Sequence, residues 1–520
     1  MKKIATALLS CALSAATLAG CAANAAQVPQ ESQEPHTAAL TATAAASVKS
    51  PKYVFLFIGD GMSYPQIQST SDYLGALKDA DYWQAQPSLD DNQGAILDGP
   101  EYLNFMNFEA AGSAVTYDSN SFAPDSASTA TSISTGHKTY SGSINVDETG
   151  TIEYETIAEQ LKAQKGWEIG VITSVNLNHA TPAAFYAHQA SRSSYYEIGL
   201  ELVESGFDYF AGGGLLKPTG SSGDQTDLYE LAQEAGYTVA KTHAEADAIG
   251  TNTEKAIIID EDLADSDAMA YELDRTDDMW ALADYVAKGI EVLDNDTGFF
   301  MMCEGGKIDW ACHANDAASS IHDTQALADA VQVAIDFAKE HADETLILVT
   351  GDHETGGLTI GFAGTDYDTY LDLLENQKIS FAKYDSDYVA SYKANKTPFG
   401  TVLADIEKLF GLKAQGEEGD KLVLTAYEME QLRAAYEKSI NGTASSQYDQ
   451  AEYVLYGTYE PLSVTITHII NNKSGISFTS YSHTGLPVAV LAHGVNAGQF
   501  NGYYDNTQIY HKLAGMLGIA

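Results

Sequence analysis

Tyr53-Val54-Phe55-Leu56-Phe57-Ile58 is an unbroken apolar run that ends on Gly59-Asp60-Gly61-Met62. A short, continuous run of aliphatic and aromatic residues suits a strand covered on both faces, the condition of a parallel sheet between helix layers. The aspartate between two glycines then falls just past the strand's carboxyl end, where open α/β sheets gather their ligands. Taken by itself it is equally a turn residue. The pattern recurs at Trp167 to Thr173, Phe299 to Cys303, Thr345 to Thr350 and Val488 to Leu491, with a shorter run at Ala256 to Ile259. Helical patterns lie between, over 153–165, 277–293, 324–342 and 507–518. This alternation predicts an α/β protein, a three-layer α/β/α sandwich around a large, mostly parallel central sheet. Phe207 to Gly214 holds a glycine cluster without dinucleotide-binding spacing and reads as a tight turn. Residues 63–110 read as surface helices and loops.

The residues that follow these runs carry chemistry. Phe299 to Cys303 leads into Glu304-Gly305-Gly306-Lys307-Ile308-Asp309-Trp310-Ala311-Cys312-His313. Asp309 and His313 are four apart, so a helix starting there puts them on one face, able to share a metal. Thr345 to Thr350 leads into Gly351-Asp352-His353-Glu354, a second ligand-like group that alone is also compatible with a structural turn. After Trp167 to Thr173 come Asn178-His179-Ala180-Thr181-Pro182 and then Arg192, a side chain suited to bidentate recognition of a phosphate-like group. His483 stands just ahead of Val488 to Leu491. Parallel strand ends converge on one edge, which pools Asp60, Glu304, Asp352 and the nearby Asp309, His313, His353 and His483. Imidazole with carboxylate favours Zn²⁺, and an all-oxygen set with Thr181 and Glu304 favours Mg²⁺. Pro124-Asp125-Ser126-Ala127-Ser128-Thr129-Ala130-Thr131-Ser132-Ile133-Ser134-Thr135-Gly136 is small, hydroxyl-rich and closed by glycine. Ser126 sits where a helix can begin, beside free N–H groups and the positive end of a helix dipole. Alone it is a helix cap; beside a metal pool it is placed as a nucleophile.

In order and spacing these segments resemble the alkaline phosphatases, over most of 51–362 and 479–520. The family's Ile-Gly-Asp-Gly-Met stands at Ile58 to Met62, and its Pro-Asp-Ser-Ala with Thr-Ala-Thr at Pro124 to Ala127 and Thr129 to Thr131. Its His/Asp-Ala-Thr/Ser-Pro and later Arg stand at His179 to Pro182 and Arg192, and its Glu-Gly-x-x-Ile-Asp-x-x-x-His at Glu304 to His313. Its Asp-His is Asp352-His353, and its last His-Thr/Ala-Gly is His483 to Gly485. The resemblance implies the family's fold and a phosphate monoester hydrolase working through a phosphoserine on Ser126, with two zinc ions and one magnesium. It implies Asp309, His313 and His483 on one zinc, and Asp60, Asp352 and His353 on the second with Ser126. It implies Asp60, Thr181 and Glu304 on the magnesium, and Arg192 as phosphate clamp. His179 stands where some members have Asp, and Trp310 where some have Lys or His, so the third site is expected to accept Zn²⁺ as well as Mg²⁺. Three rivals remain. A sulfatase needs Pro-x-Arg after its nucleophile, which Ser126-Ala127-Ser128 lacks. A phosphodiesterase of the same superfamily usually carries Thr at the nucleophile and no matching Arg. A non-catalytic surface lipoprotein has no need of Ser126, Arg192 and three metal groups together.

Composition bounds the partners. With 27 Lys and Arg against 72 Asp and Glu, a net charge of −45 argues against nucleic acid while leaving anionic small substrates open where the site supplies cations. Lys2 and Lys3 precede the apolar Ile4 to Leu18, and Leu18-Ala19-Gly20-Cys21 resembles a bacterial lipobox. Residues 1–21 therefore read as a lipoprotein-type signal peptide, with an ordinary secretory signal as the alternative, and 22–50 as a flexible linker. The expected location is the cell envelope, with membrane attachment only through a lipidated Cys21. Cys303 and Cys312 read as buried thiols. Residues 51–362 and 479–520 form the expected catalytic domain. Residues 363–478, richer in Tyr and Lys and without a buried strand run, read as an inserted subdomain able to border the site, bind substrate or make a homodimer contact.

Overall fold

The computed structural model describes residues 49–79, 97–442 and 444–519. The signal sequence with Cys11 and Cys21, almost all of the linker and most of the segment 79–99 lie outside the described residues. The strands are β1 (Tyr53–Gly59), β2 (Ala110–Val115), β3 (Glu168–Asn176), β4 (Tyr209–Gly213), β5 (Thr238–Ala240), β6 (Ala256–Ile259), β7 (Phe299–Gly305), β8 (Thr345–Gly351), β9 (Glu354–Thr355), β10 (Thr359–Ile360), β11 (Ile476–Ser477), β12 (His483–Thr484), β13 (Val488–Gly494) and β14 (Gly502–Asp505). Ten of them form one sheet in the order β14-β2-β13-β8-β1-β7-β3-β4-β6-β5, in which only β13 runs against its neighbours. The expected mostly parallel α/β architecture is what the chain adopts.

The apolar runs are unbroken because the sheet separates two cores. On β1, Val54, Leu56 and Ile58 pack into one, and Tyr53, Phe55 and Phe57 into the other. β7 and β8 divide their side chains the same way. Each such side chain taken fully out of water contributes about 1.5–3 kcal/mol, so a polar residue on either face of these strands is strongly disfavoured.

Several elements depart from their expected limits. The 324–342 helix runs over Ala317–Glu340, because Asp316 caps it by accepting from Ser319 N. The 277–293 helix begins at Leu282, and the 153–165 helix spans Ile157–Lys165. The glycine cluster is not a turn: Gly212 and Gly213 belong to β4. A Cβ on Gly212 would lie 1.8 Å from Thr173 O, so the glycine permits close approach of β3, whose register shifts between Thr173 and Asn176. Nor is 63–110 all surface. Ala110–Val115 joins the sheet, and the Tyr64–Lys78 helix buries Gln66, Thr70 and Tyr73.

Residues 363–478 leave and rejoin beside the short antiparallel pair β10–β11. Their helices hold a third apolar cluster that includes Leu374, Tyr384, Val402, Phe410 and Ile466, and it reaches Tyr73 of the Tyr64–Lys78 helix and Ile321 of the Ala317–Glu340 helix.

Candidate active site

The site lies along the carboxyl ends of β1, β7 and β8. Gly59 at the end of β1 is level with Gly305 on β7 and with Gly351 on β8, so Asp60 and Asp352 emerge side by side. Glu304 is the partner of Ile58 on one side and of Thr173 on the other. Gly61, at φ +71°, is required here: a Cβ would sit 2.8 Å from Thr355 Oγ1. Asp309 and His313 share the Lys307–His313 helix. His483 reaches the same edge from the opposite sequence direction. Because β13 runs reversed, the residues before it, not those after it, lie at this edge.

Three imidazoles are held in one tautomer. His313 Nδ1 donates to Tyr481 O at 2.6 Å, and His483 Nδ1 to Pro124 O at 2.6 Å. A carbonyl can only accept, so Nδ1 carries the proton of the neutral ring and Nε2 is then the lone pair that can bind a metal; burial alone would lower His313, but the Asp309 charge raises it to about 9. Thr355 Oγ1 gives its proton to Asp309 Oδ1 at 2.5 Å and lies 3.3 Å from His353 Nδ1, which fixes His353 in the same form. The three Nε2 atoms then meet acceptors. His313 Nε2 lies 3.0 Å from His483 Nε2 and 3.3 Å from Asp309 Oδ2. His353 Nε2 lies 3.3 Å from both Asp60 Oδ1 and Asp352 Oδ2. The His353 and His483 rings stack 3.6 Å apart, so the two groups adjoin.

Acceptors that outnumber the donors facing them are the complement of a cation. The ligand atoms of Asp309, His313 and His483 lie within 4.8 Å of one another, as do those of Asp60, Asp352 and His353. Asp60 Oδ1 and Glu304 Oε1 are buried with no hydrogen-bond partner. Thr181 Oγ1 lies 3.2 Å from Asp60 Oδ2, beginning an all-oxygen group with Glu304. Burial, followed by the charges of Asp352, Asp309 and Glu304, pushes Asp60 well above the usual carboxylate range. Burial pushes Glu304 up to about 7 and, with the charge of Asp309, Asp352 up to about 6. So much uncompensated acidity fits divalent ions bound by these residues. His243, Asp260 and Asp262 form another group of ligand type, but none of them lines this cleft.

Ser126 opens the Ser126–Thr135 helix, which Asp125 caps by accepting from Ser128 N and which Gly136 ends in the left-handed conformation. Ser126 Oγ lies 3.2 Å from His353 Nε2, and Thr129 Oγ1 donates to Asp352 Oδ2 at 3.0 Å. Asp125 does a second job that its sequence position did not reveal. Its Oδ2 accepts from Arg192 Nη1 at 2.8 Å and aims the guanidinium at the cleft. Burial alone would raise Asp125, but Arg192 and backbone N–H groups hold it below the usual range. His179 Nε2 lies 3.3 Å from Arg192 Nη2 and accepts from it. Burial and the Arg192 charge hold His179 down to about 3, so it is neutral. Trp310 meets the His179 ring edge-on at 5.9 Å.

All the sequence-predicted residues thus converge. Ser126, Arg192, His179, Asp309, His313, His483 and Trp310 line one cleft of about 390 Å³, and Asp60, Thr181, Glu304, Asp352 and His353 are buried beneath it. Cys303 and Cys312 are both buried and unbridged. Sequence reasoning missed Thr355, although it lies two residues from His353. It also missed Asp265, Ser266, Tyr271, Phe381 and Tyr459, which complete the cleft. No local pattern marks these; the 363–478 segment supplies two of them by docking.

The alkaline phosphatase family pattern matches residues 51–519. Alkaline phosphatase 3 of Bacillus subtilis (strain 168) is 30% identical over 472 residues, covering 88% of this chain and 87% of that one. The solved cold-active alkaline phosphatase from the psychrophile Shewanella sp. is 28% identical with a TM-score of 0.68, covering 89% of this chain and 99% of that one. A variant of the TAB5 alkaline phosphatase, with one histidine replaced by glutamate and Mg bound in its M3 site, is 25% identical with a TM-score of 0.60, covering 91% and 99%. The chain belongs to the alkaline phosphatase family.

Proposed function

We propose that this enzyme hydrolyses phosphate monoesters through a phosphoserine on Ser126, using two zinc ions and one magnesium. The observation that carries the reading is the shared tautomer: three imidazoles with Nδ1 committed elsewhere turn Nε2 toward buried carboxylates within reach of Ser126 Oγ. Asp309, His313 and His483 would hold one zinc, Asp60, Asp352 and His353 the other, and Asp60, Thr181 and Glu304 the magnesium. When bound, these ions supply Lewis-acid stabilisation of charge on the attacking and leaving oxygens.

The chain's own residues divide the remaining work. Ser126 gives its hydroxyl proton to solvent and Oγ attacks phosphorus in line, forming the Oγ–P bond as the bond to the alcohol oxygen breaks; the electron pair leaves with that oxygen, which takes a proton from solvent. Arg192, steadied by Asp125, holds two of the oxygens that stay on phosphorus. The free N–H groups of the helix's first turn face the same charge. Water then attacks the phosphoserine from the vacated side, forming a new O–P bond as the Oγ–P bond breaks; the water loses a proton to solvent and Ser126 Oγ takes one up, which releases phosphate and restores the hydroxyl. His179, beside Thr181, supports a third site open to zinc as well as magnesium. The TAB5 neighbour, in which a histidine-to-glutamate change accompanies Mg in its M3 site, is in keeping with this.

We further propose that the chain is exported and lipid-anchored at Cys21. We also propose that 363–478 is inserted into a catalytic domain of 51–362 and 479–520; the β10–β11 pair beside its ends supports this. The function is tested with p-nitrophenyl phosphate, its diester and its sulfate, at neutral to alkaline pH, with and without chelator. Monoesterase activity that chelator abolishes and Ser126→Ala lacks is the expected result. Chelator-insensitive or absent monoesterase activity removes the reading.

A further inference from the structure

The same cleft has a wall of a different kind. Tyr271, Trp310, Phe381 and Tyr459 line it. Tyr271 meets Phe381 edge to face with ring centres 5.7 Å apart, and Phe381 meets Tyr459 the same way at 5.8 Å. Lys307 Nζ joins Tyr271 to Trp310, lying 3.9 Å from one ring centre and 4.8 Å from the other.

The wall is fixed in place before any ligand arrives. The Lys307 side chain is fully buried and its Nζ pairs with Asp265 Oδ1 at 2.6 Å. Phe381 N donates to Asp316 Oδ2 at 2.9 Å, and Ser380 beside it donates to Asp274 through both N and Oγ. Tyr459 stands on the Asp309 side of the cleft: burial, then the Asp309 charge, push its phenol up. Trp310, Phe381 and Tyr459 are nonetheless only half-buried. Among the residues lining the cleft Arg192 is the one lysine or arginine, and Asp125 already holds it. A leaving group rich in phosphates or carboxylates finds nothing to neutralise it on this wall. A flat apolar one finds rings already packed edge to face against one another, which lowers the side-chain entropy that stacking costs. The volume, about 390 Å³, lies at the small end of ligand pockets and suits a phosphate with one ring system.

We propose that Phe381 and Tyr459 form a leaving-group subsite that selects phosphate monoesters whose alcohol carries a planar aromatic group. The inference rests on the monoesterase reading. The test compares adenosine 5′-monophosphate and 2-phenylethyl phosphate with glycerol 3-phosphate; all release primary alcohols, so the intrinsic chemistry is matched. In the intact enzyme both ring-bearing esters should exceed glycerol 3-phosphate in kcat/KM by about tenfold, the scale of one stacked aromatic contact. Phe381→Ala and Tyr459→Ala should bring that ratio close to unity, mainly through KM, while Tyr459→Phe keeps it. Tyr427→Ala, exposed in the same segment, should leave it unchanged. Because the readout is a ratio within one sample, partial unfolding cancels. A ratio near unity in the intact enzyme, or one that survives both alanine variants, overturns the subsite. Preference for adenosine 5′-monophosphate alone also overturns it, in favour of hydrogen bonds to the base. An enzyme inert on all three esters overturns the monoesterase reading itself.

Discussion

Replacing Thr355 with valine should loosen the metals without touching a ligand. Thr355 Oγ1 donates to Asp309 Oδ1 at 2.5 Å and accepts from His353 Nδ1 at 3.3 Å, so one hydroxyl serves both groups of candidate metal ligands. Valine keeps the branched shape and removes both bonds. His353 is fully buried and valine puts a methyl group where the hydroxyl was, so bulk solvent does not reach the abandoned Nδ1. Leaving a buried donor unpaired costs about 1–3 kcal/mol. The escape is to move the proton to Nε2, which removes the lone pair turned toward Asp60 and Asp352. Either route penalises the bound state. Loss of such outer partners typically costs about 10–100-fold in metal affinity, or roughly 1.4–2.8 kcal/mol. The 3.3 Å contact is long for a hydrogen bond, which places the expected effect near the lower end, about tenfold. The assay is dialysis of the wild type, Thr355→Val and Thr355→Ser against graded chelator, with zinc measured by plasma mass spectrometry and melting temperature in parallel. Serine should restore retention. A folded valine variant that keeps zinc as firmly as the wild type would refute the tautomer assignment on which the metal groups are argued.

Asp125→Ala removes a helix cap and the anchor of Arg192 together, so it should cost about 1 kcal/mol of stability and roughly 100-fold in kcat/KM. Asp125→Asn should recover the stability but only part of the rate, and equal kinetic recovery would show that Arg192 is held by other contacts. Burial alone would lower His188, but Glu159 and Glu201 outweigh it and raise it to about 10. Its stabilisation is therefore complete below its unfolded value of about 6.5 and is lost as pH climbs toward 10. His188→Gln should flatten the alkaline fall in Tm, and parallel curves would count against the assignment. His179→Asp should raise the preference for magnesium at the third site, with an unchanged metal content as the contrary result.

The residues of the candidate site were legible because they are encoded locally. A strand covered on both faces must be an apolar run, and the polar residue that ends it is conspicuous, as Asp60, Glu304 and Asp352 are. Asp309 and His313 announce themselves by helical spacing. His483 is a harder case: its place follows from the reversal of β13, which no periodicity in Val488 to Gly494 reveals. Thr355 and the second bond of Asp125 were hidden because each is an ordinary hydroxyl or cap whose partner lies far away in sequence. The aromatic wall was hidden for a deeper reason. Gathering carboxylates and imidazoles around a serine demands particular residue types at particular strand ends, whereas offering a flat apolar surface demands only that some rings arrive there. Phe381 and Tyr459 arrive on a segment that packs through its own apolar cluster onto the Tyr64–Lys78 and Ala317–Glu340 helices, not through the sheet. The two halves of the site are therefore carried on different elements, which meet where Phe381 and Asn471 bond to Asp316 and Asn315 just past His313. Changes confined to 363–478 should alter which alcohol leaves, through KM, while attack at phosphorus stays governed by the strand ends and the Ser126 helix.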